Sequence, residues 1–381
     1  MAAARATKGS APAESLTLRE LNRATLARQL LLVREQSSPA AVCERLVGLQ
    51  AQWPKPPFVG IWSRLAAFER EQLCRLVRSR KLVRGTMMRG TLHLMTASDY
   101  RRLRPAIQPM LSRGLQSLLT SRGTRLDTER LVTEARAFLV AGPRTFEEIR
   151  QHLLGLHPKT DERAMGFAVR MSLPLVMVPT DATWGYPAIA AFAEAEDWLG
   201  QPLADEEALP ELLMRYFAAF GPASVSDAQA WSGLQGLRAV VDALRPRLRT
   251  FRDERGRELF DVPDGPRPSG DSPAPVRFIA EYDNLLLGHE DRRRIVADAH
   301  RARVYLPGLR VAATFLIDGF VGGTWRLETK RGVATLSLNA FGTLPKATRA
   351  ALEREGESLA AFLEPEATPA VRILKEEEVA R

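Results

Sequence analysis

Two glutamines, Gln50 and Gln52, have the type and spacing best suited to chemistry, because they lie where an apolar segment runs into prolines. A side-chain amide does not titrate near neutrality, so it can hold a water or a substrate edge but cannot act as a strong acid or base. Residues two apart point roughly 200° apart on a helix and share a face in extended backbone. Because Pro54 disfavours helix at Trp53, we predict that the helix ends near Gln52 and that both amides face one pocket. The tripeptide with Ala51 alone favours an ordinary solvent-facing helix end.

The positive charge of the chain is concentrated in one segment. The 381 residues, long enough for two to four compact units, carry a formal net charge of +9, and most of the cations are arginines. Between Arg64 and Arg104, eleven Lys or Arg stand against three acids, a local net charge of +8. This clustering favours contact with a polyanion such as DNA over a general solubility charge.

Several classes of protein are disfavoured by what the sequence lacks. Cys43 and Cys74 lie in helix-like apolar patterns without metal-ligand spacing, and the five histidines form no ligand pair. There is no nucleotide-binding glycine loop, no run of eighteen apolar residues and no apolar leader. We therefore expect reduced core thiols, no metal, no cofactor, no membrane span and a cytoplasmic protein.

The N-terminal third predicts a winged helix. Residues 16–20 open a first helix, Ser38 caps a second over residues 39–50, and a third covers residues 69–79. Residues 82–96 predict two strands joined through residues 85–90. Three helices followed by a basic hairpin are typical of a winged helix whose arginines grip phosphates, although an ordinary β-ribbon with solvated arginines fits the same pattern.

An internal similarity predicts two further modules of the same kind. Residues 142–149 resemble residues 221–228, and both carry a Gly-Pro turn followed by a capping pattern, Thr145 with Glu148 and Ser224 with Asp227. Each is followed by another helix and a pair of strands, predicted at residues 175–178 with 183–186 and at residues 250–252 with 258–262. Three winged helices in tandem are the simplest explanation.

The C-terminal part changes to a β pattern. After a Pro- and Gly-rich linker at residues 265–275, strands are predicted at residues 276–280, 302–305, 314–317, 320–326 and 333–338, followed by a helix over 347–362 and a charged tail. A small barrel or a strongly twisted sheet fits. The predicted α+β organisation is a disordered segment 1–15, winged helices 16–125, 126–205 and 206–265, a β-barrel 266–345, and a helix with tail 346–381.

Four short motifs, in order, resemble the winged-helix alkylpurine DNA glycosylase family, the AlkZ-like proteins. They are GLQAQ at 48–52, RGTLHL at 89–94, YDNLLLGHEDR at 282–292 and DGFVGGTWR at 318–326. The resemblance extends over residues 16–338. It implies three tandem winged helices and a C-terminal β-barrel around a concave DNA-binding face.

The resemblance also implies which residues act. The family's catalytic signature, two glutamines around an apolar residue, matches Gln50 and Gln52 around Ala51; a related branch has aspartate in the second place, and Ala51 is small for the middle one. The predicted DNA contacts are Arg84, Arg89, Thr91, His93, His289, Arg292 and Arg293. For the 289–294 loop, a solvated turn explains the charges equally well. The implied partner is double-stranded DNA with alkylated purines, bound by a nucleoid-associated monomer.

Weak groups suffice for this chemistry. A purine alkylated at N7 or N3 is already cationic, so it leaves C1′ as a neutral base and needs no strong acid. Two amides in a fixed geometry can place a water and stabilise positive charge on the sugar. The sequence therefore predicts a monofunctional DNA glycosylase. A non-catalytic DNA-binding regulator and, less favoured, a binder of RNA or another polyanion remain the alternatives.

Overall fold

Capping signals start the helices of the N-terminal unit at the predicted positions. The computed structural model describes residues 14–204 and 208–374. Thr17 forms a capping box with Glu20, and the Ser38 hydroxyl accepts a hydrogen bond from Ala41 N–H, so both predicted starts are confirmed. The elements are β1 (Ser15–Leu16), α1 (Leu18–Arg28), α2 (Pro39–Arg45), β2 (Leu49–Gln50), α3 (Pro56–Trp62), α4 (Arg70–Arg78), β3 (Leu82–Thr86), β4 (Leu92–Thr96) and α5 (Ala97–Ser121).

Helix α2 ends five residues before the predicted position, so that part of the prediction is wrong. The chain leaves α2 at Arg45 and passes through positive φ at Val47 (56°) and Gly48 (87°). A Cβ at Gly48 would lie 2.6 Å from Met95 Cγ, so the turn requires glycine for both its φ and its close packing. As a result, Gln50 lies in a short strand rather than on a helix.

The second unit carries the predicted Gly-Pro turn and capping box. Thr145 and Glu148 satisfy each other's backbone N–H groups, as predicted. The second strand predicted at residues 183–186 is wrong, because the observed partner of β6 lies further along the chain. The elements are α6 (Thr128–Val140), β5 (Arg144–Thr145), α7 (Phe146–Leu156), α8 (Glu162–Ser172), β6 (Leu175–Met177), β7 (Ala191–Glu194) and α9 (Ala195–Leu199).

The hairpins of the first two units join edge to edge in one sheet. Its six strands run in the order β2-β4-β3-β6-β7-β5, and Gly85 of β3 pairs with Val176 of β6 across the junction. A Cβ at Gly85 would lie 2.6 Å from the Tyr100 ring and 2.9 Å from the Leu175 carbonyl oxygen. Only glycine therefore allows the two hairpins to approach this closely.

The third unit follows the same pattern, and its sheet includes the first strand of the chain, β1. Ser224 and Asp227 form the predicted capping box. Strand β1 pairs in parallel with β8. Ser15 is therefore ordered, and its inclusion in the predicted disordered segment is wrong. Residues 1–13 of that segment lie outside the described part. The elements are α10 (Leu209–Phe220), α11 (Val225–Ser232), α12 (Arg238–Leu244), β8 (Arg249–Asp253) and β9 (Glu258–Asp261).

The C-terminal unit is an open sheet covered by a helix. The elements are β10 (Arg277–Ile279), α13 (Asn284–Leu287), α14 (Arg301–Val304), β11 (Tyr305–Leu306), β12 (Arg310–Val311), β13 (Thr314–Ile317), β14 (Phe320–Lys330), β15 (Val333–Ala340), α15 (Lys346–Leu363) and β16 (Thr368–Ile373). Short 3-10 helices cover Met88–Gly90, Arg245–Arg247, Arg292–Arg294 and Asp298–His300.

The five-stranded sheet has the order β10-β13-β14-β15-β16, and its two edge strands do not pair with each other. A closed barrel is therefore not confirmed within the described residues. Helix α15 connects the parallel strands β15 and β16 and buries Leu352 and Leu359 against the sheet. The predicted strand 302–305 is mostly helix, and part of the predicted tail is strand β16; residues 375–381 lie outside the described part.

The architecture is mixed α+β, as predicted at that level. The largest apolar core joins α5, the shared hairpin and helices α10 to α12, so the three helical units pack as neighbours. Both cysteines are free and buried, as expected. Within residues 14–204 and 208–374, no helix combines the length and apolarity needed to cross a bilayer.

Candidate active site around Gln50 and Gln52

Gln50 lies in an edge strand of the shared sheet. It pairs with His93 of β4, and the next residue continues the ladder through Ala51 N–H donating to Leu92 O at 2.7 Å. Ala51 is fully buried in the apolar core between α2 and α4. Residues that pair across two antiparallel strands have side chains on the same face. Gln50 and His93 therefore face away from the core that holds Ala51.

Arg89 fixes the amide of Gln50. It lies at the tip of the β3–β4 hairpin with φ of 56°, and its Nη2 donates to Gln50 Oε1 at 2.7 Å. Its Nη1 donates to the Trp231 carbonyl oxygen of α11. Burial lowers the pKa of Arg89 to about 10, with a further contribution from the nearby Arg292, so Arg89 stays a cation at neutral pH. Since the arginine occupies Oε1, the amide group that Gln50 can offer to another molecule is its Nε2.

Arg84 supports the backbone of the two glutamines. Its Nε donates to Ala51 O at 2.8 Å and its Nη2 donates to Gln52 O at 3.0 Å. The residue is only 4% exposed, and burial lowers its pKa to about 10. Its guanidinium lies 5.3 Å from the ring centroid of Tyr186. Arg84 therefore holds the loop instead of extending toward solvent.

Two buried acceptor atoms at this site have no partner among the described residues. They are Gln52 Oε1 and His93 Nε2. His93 Nδ1 lies 3.1 Å from Thr91 O, which only accepts, so Nδ1 carries the proton and Nε2 has a free lone pair. Burial first, and then the charge of Arg89, lower the pKa of His93 to about 3. An unpaired buried acceptor costs about 1 to 3 kcal/mol. Each of these acceptors marks a point at which a water or a substrate donor can bind.

A motif far away in sequence packs behind the glutamines. Asn284 Nδ2 donates to Gly48 O at 2.5 Å and to Leu46 O at 3.4 Å. The preceding residue, Asp283, forms a two-pronged ion pair with Arg64 at 2.8 Å on both arms, and both side chains are almost fully buried. The YDNLLL segment therefore stabilises the turn that leads into β2.

The other predicted DNA-contact residues divide into two groups. Thr91 is half-buried beside the hairpin tip, where its hydroxyl donates to Met88 O at 3.1 Å. His289 is 2% exposed and its Nε2 donates to Phe220 O at 2.8 Å, while burial and Arg294 lower its pKa to about 3. Arg293 pairs with Asp291, away from the glutamines. The structure thus brings Gln50, Gln52, Arg84, Arg89, Thr91 and His93 together and leaves His289 and Arg293 elsewhere.

Arg292 lies between these two groups. Its guanidinium donates to Leu286 O and lies 5.4 Å from the Tyr305 ring centroid, and its charge reaches Arg89. The loop at residues 289–294 is also anchored, because the Asp227 carboxylate accepts from Glu290 N–H at 2.8 Å. The expectation of a solvated turn is therefore wrong for His289, which is enclosed.

Most cations of the charge cluster between Arg64 and Arg104 contact other groups of the protein, although only Arg64, Arg84 and Arg104 are buried. Nine of its eleven cations contact protein groups: Arg64, Arg70, Arg78, Arg80, Arg84, Arg89, Arg101, Arg102 and Arg104. Several of these arginines hold backbone carbonyl oxygens rather than acids. The clustering therefore has a structural explanation, and the argument that the hairpin arginines grip phosphates loses its basis for Arg84 and Arg89.

The residues that support the turn before Gln50 were not predicted from the sequence. Asn284, Asp283 and Arg64 were not singled out, although the first two lie in a motif that did stand out. A polar Asp-Asn pair directly before three leucines was the available signal. Its partner Gly48 is more than 230 residues away in sequence and could not be inferred from spacing.

The fold is that of a solved DNA glycosylase. The structure of Streptomyces sahachiroi DNA glycosylase AlkZ matches with a TM-score of 0.77 at 22% sequence identity, covering 94% of this chain and 100% of that chain. A curated relative from the same organism, named interstrand DNA cross-link repair glycosylase, is 26% identical over 340 residues, which is 81% of this chain and 87% of the relative.

The family follows from the sequence itself. The family model described as DNA glycosylase AlkZ-like matches residues 43–362, and the chain belongs to this family. It is therefore a DNA glycosylase, and DNA is its substrate. The alternatives of a non-catalytic regulator and of a binder of another polyanion give way to this assignment.

Proposed function

We propose that this DNA glycosylase releases cationic alkylated purines by hydrolysis of the bond between the purine and C1′, with Gln50 and Gln52 as the catalytic residues. The observation that carries the proposal is the pair of amides at the end of β2, one oriented by Arg89 and one with a buried acceptor oxygen that has no partner among the described residues. Neither amide can protonate a leaving group. The site therefore suits a base that already carries its own positive charge.

The amides have complementary roles in this mechanism. Gln52 Oε1 accepts a hydrogen bond from the attacking water, and Gln50 Nε2 donates to the same water or to a substrate oxygen. As the water oxygen bonds to C1′, the C1′–N bond breaks, its electron pair neutralises the departing purine, and the spare proton of the water passes to solvent. A buried water typically makes about three hydrogen bonds, and the lone pair of His93 Nε2 supplies another acceptor. Acceptor oxygens held in place also stabilise the positive charge that develops on the sugar as the neutral base departs.

The substrate range we propose includes bulky and cross-linked purines. A cross-link through purine N7 leaves the same kind of cationic glycosyl bond as a methyl group, and the relative from S. sahachiroi is named for interstrand cross-link repair. DNA repair or protection from a self-made alkylating agent fits such a range. We further propose a nucleoid-associated monomer.

We also propose that the helical part consists of three winged-helix modules with boundaries near residues 125, 205 and 265. The repeated capping boxes and the β3–β4, β6–β7 and β8–β9 pairs support this division. For Arg84 and His93 we propose support of the catalytic loop in place of the DNA contact predicted from sequence. Thr91, Arg292 and Arg293 stay candidates for DNA contact. His289 is enclosed and could contact DNA only after movement of the 289–294 loop.

Release of free 7-methylguanine from a duplex that contains it at one position tests the proposed function. Purified protein is expected to release the base and leave an abasic site. Absence of release from 7-methylguanine, 3-methyladenine and N7-cross-linked duplexes would refute it.

The rate of release is expected to change little between about pH 5.5 and 8. Neither amide titrates, and the pKa of His93, lowered to about 3 by burial, keeps its imidazole neutral across this range. The substrate is permanently cationic. Single-turnover rates at constant ionic strength measure this profile. An inflection between pH 6 and 7 would indicate a titrating acid or base that the proposal lacks.

Replacement of Arg89 by Met is expected to lower the single-turnover rate by about 10- to 100-fold while leaving the salt dependence of DNA binding unchanged. Without the guanidinium, Gln50 loses the donor that orients its amide, and misplacement of about 1 Å costs up to about 10²-fold. Arg89→Lys keeps the charge but cannot reach both Gln50 Oε1 and Trp231 O, so it should rescue little.

The salt slope separates this role from a phosphate contact. A lost phosphate contact reduces the slope of log K against log salt by about one and weakens binding to all sequences alike. Arg130→Met, which removes an exposed arginine paired with Glu134, is the matched control. A reduced slope with an unchanged chemical rate in Arg89→Met would reject the orienting role.

A further inference from the structure

A cavity opens directly beyond the catalytic loop, between that loop and the C-terminal sheet. Its volume is about 330 Å³, and its floor is formed by Pro56, Val59, Ala280 and Ala313. All four floor residues are buried and apolar. The volume falls at the lower end of the range of small-molecule pockets, about 300 to 1,000 Å³.

Two indoles line this cavity. Trp53 is 59% exposed and is the one aromatic among the large hydrophobic side chains exposed in the described part of the chain. Trp325 is half-buried, and its Nε1 donates to Ile279 O at 3.0 Å. Its ring also meets Phe278 edge-on, with centroids 6.1 Å apart. One wall is therefore a fixed aromatic plane and the other an aromatic side chain that the core does not use.

The cavity begins one residue after Gln52. Consecutive Cα atoms are about 3.8 Å apart, so the backbone of Trp53, which lines the cavity, directly adjoins that of Gln52. Arg84 fixes the carbonyl of Gln52 and so limits movement between the two positions. Trp53, Lys55 and Pro56 of the cavity wall follow Gln52 in the same segment, so a substituent that extends from a purine bound at the glutamines along this segment would enter the cavity.

The rim is charged, whereas the walls are not. Lys55 lies 5.6 Å from the Trp184 ring centroid, and Glu281 and Arg326 line the cavity opposite the loop. Burial lowers the pKa of Lys55 and raises the pKa of Glu281, so both charges are less favourable there than in water. A neutral flat group contacts the floor and the indoles without desolvating a charge of its own.

From this arrangement we propose that the cavity is a subsite for the substituent of the excised purine and takes a planar aromatic group, stacked on Trp325 and covered by Trp53. The proposal rests on the proposed function and deepens it, since it defines the adducts that the enzyme prefers. Stacking of an aromatic group on a side-chain ring strengthens binding by on the order of 10- to 100-fold. N7-arylmethyl purines are then better substrates than N7-alkyl purines of equal size.

Three duplexes test the subsite, each with one N7-substituted guanine carrying methyl, naphthylmethyl or cyclohexylmethyl. Affinity and single-turnover release are measured for wild type, Trp53→Leu and Trp325→Leu. Wild type should bind and release the naphthylmethyl adduct better than the cyclohexylmethyl one. Both variants should lower the naphthylmethyl-to-methyl ratio by about 10-fold. Trp198→Leu removes an indole outside the cavity, where it stacks on Arg80, and should leave the ratio unchanged.

The other outcomes contradict the proposed subsite. An equal loss on all three duplexes means that the indoles bind the DNA itself, and an unchanged ratio means that the cavity is structural. Equal preference for the aromatic and the cyclohexyl group assigns it to volume rather than stacking. If wild type releases no base from any duplex, the proposed function fails, and the affinity ratios still decide the subsite. Trp53→Leu alters an exposed side chain, so a folding defect in Trp325→Leu does not obscure the result.

Discussion

Gln52→Ala is expected to lower the single-turnover release of 7-methylguanine by on the order of 10²- to 10³-fold, with affinity for the damaged duplex changed only a few-fold. Its buried Oε1 has no partner among the described residues, so its loss removes an acceptor without breaking a protein contact. Removal of one fixed polar group that stabilises transition-state charge costs about this much in other enzymes. Quantifying free base against time under excess enzyme measures the effect.

Two companions to that variant separate chemistry from folding. Gln52→Glu keeps an acceptor oxygen of similar reach and should retain much more activity than alanine. Gln116→Ala, at an exposed position of α5, removes the same group far from the loop and should match wild type. If Gln52→Ala released the base at the wild-type rate, the amide would have no part in the reaction.

In the proposed mechanism, Gln50 and Gln52 act on the same water, so their substitutions are expected to be coupled. Gln50→Ala removes the donor Nε2 and also leaves Arg89 Nη2 without its 2.7 Å acceptor, so its cost includes a disturbed arginine. The combined variant should be little worse than the more damaging single variant, because residues that act as a unit are not additive. Fully additive losses would indicate two independent functions.

Sequence signals located the starts of elements better than their ends or their neighbours. The Thr17, Ser38, Thr145 and Ser224 caps lie within a few residues of the groups they satisfy, so a local pattern suffices to predict them. The end of α2 depends instead on Gly48 packing against Met95, which lies across the hairpin. The prolines at 54, 56 and 57 led to a predicted helix end after Gln50, whereas α2 ends before it, at Arg45.

The sequence pointed to candidate site residues but not to the contacts that they make in the structure. Gln50 and Gln52 were singled out by type and spacing, and the resemblance added their catalytic role; in the structure Gln50 ends strand β2 and Gln52 follows it by two residues. Whether an arginine at the hairpin extends outward or inward depends on strand register and on the helices packed above it. Arg89 turns inward because it finds Gln50 and the Trp231 carbonyl there. Composition alone cannot distinguish a phosphate-binding arginine from one that holds backbone carbonyls.

The sequence pattern also could not predict whether the C-terminal sheet closes into a barrel. Alternation predicted three of its strands, β10, β13 and β15, closely, and the start of β14. Strand β16 comes from the segment that composition predicted as a charged tail and covers the edge of β15. Strands β10 and β16 are the two edges of this sheet and do not pair with each other, so it stays open within the described residues, although each strand considered alone is compatible with a barrel.

Asp283→Ala is expected to lower the free energy of unfolding by about 3 to 5 kcal/mol, the typical cost of removing one partner from a buried ion pair. Asp283 and Arg64 are almost fully buried and joined by two hydrogen bonds of 2.8 Å. The variant leaves the Arg64 charge with neutral acceptors alone, the backbone carbonyl oxygens of Gln29 and Gly60 and the side-chain Oε1 of Gln29. Urea unfolding followed by tryptophan fluorescence measures the change. Asp242→Ala, which breaks exposed pairs with Arg238 and Arg245, should have little effect.

The double variant Arg64→Met/Asp283→Leu separates stability from support of the active site. Because neither charge is then buried without a partner, stability should recover in large part. Activity should recover less, since Asp283 also accepts from Leu285 N–H at 2.9 Å and so sets the helix start from which Asn284 reaches Gly48 O. Recovery of stability together with full activity would mean that the ion pair only holds the units together. Recovery of stability alone would identify Asp283 as a positioning residue for the loop that carries Gln50 and Gln52.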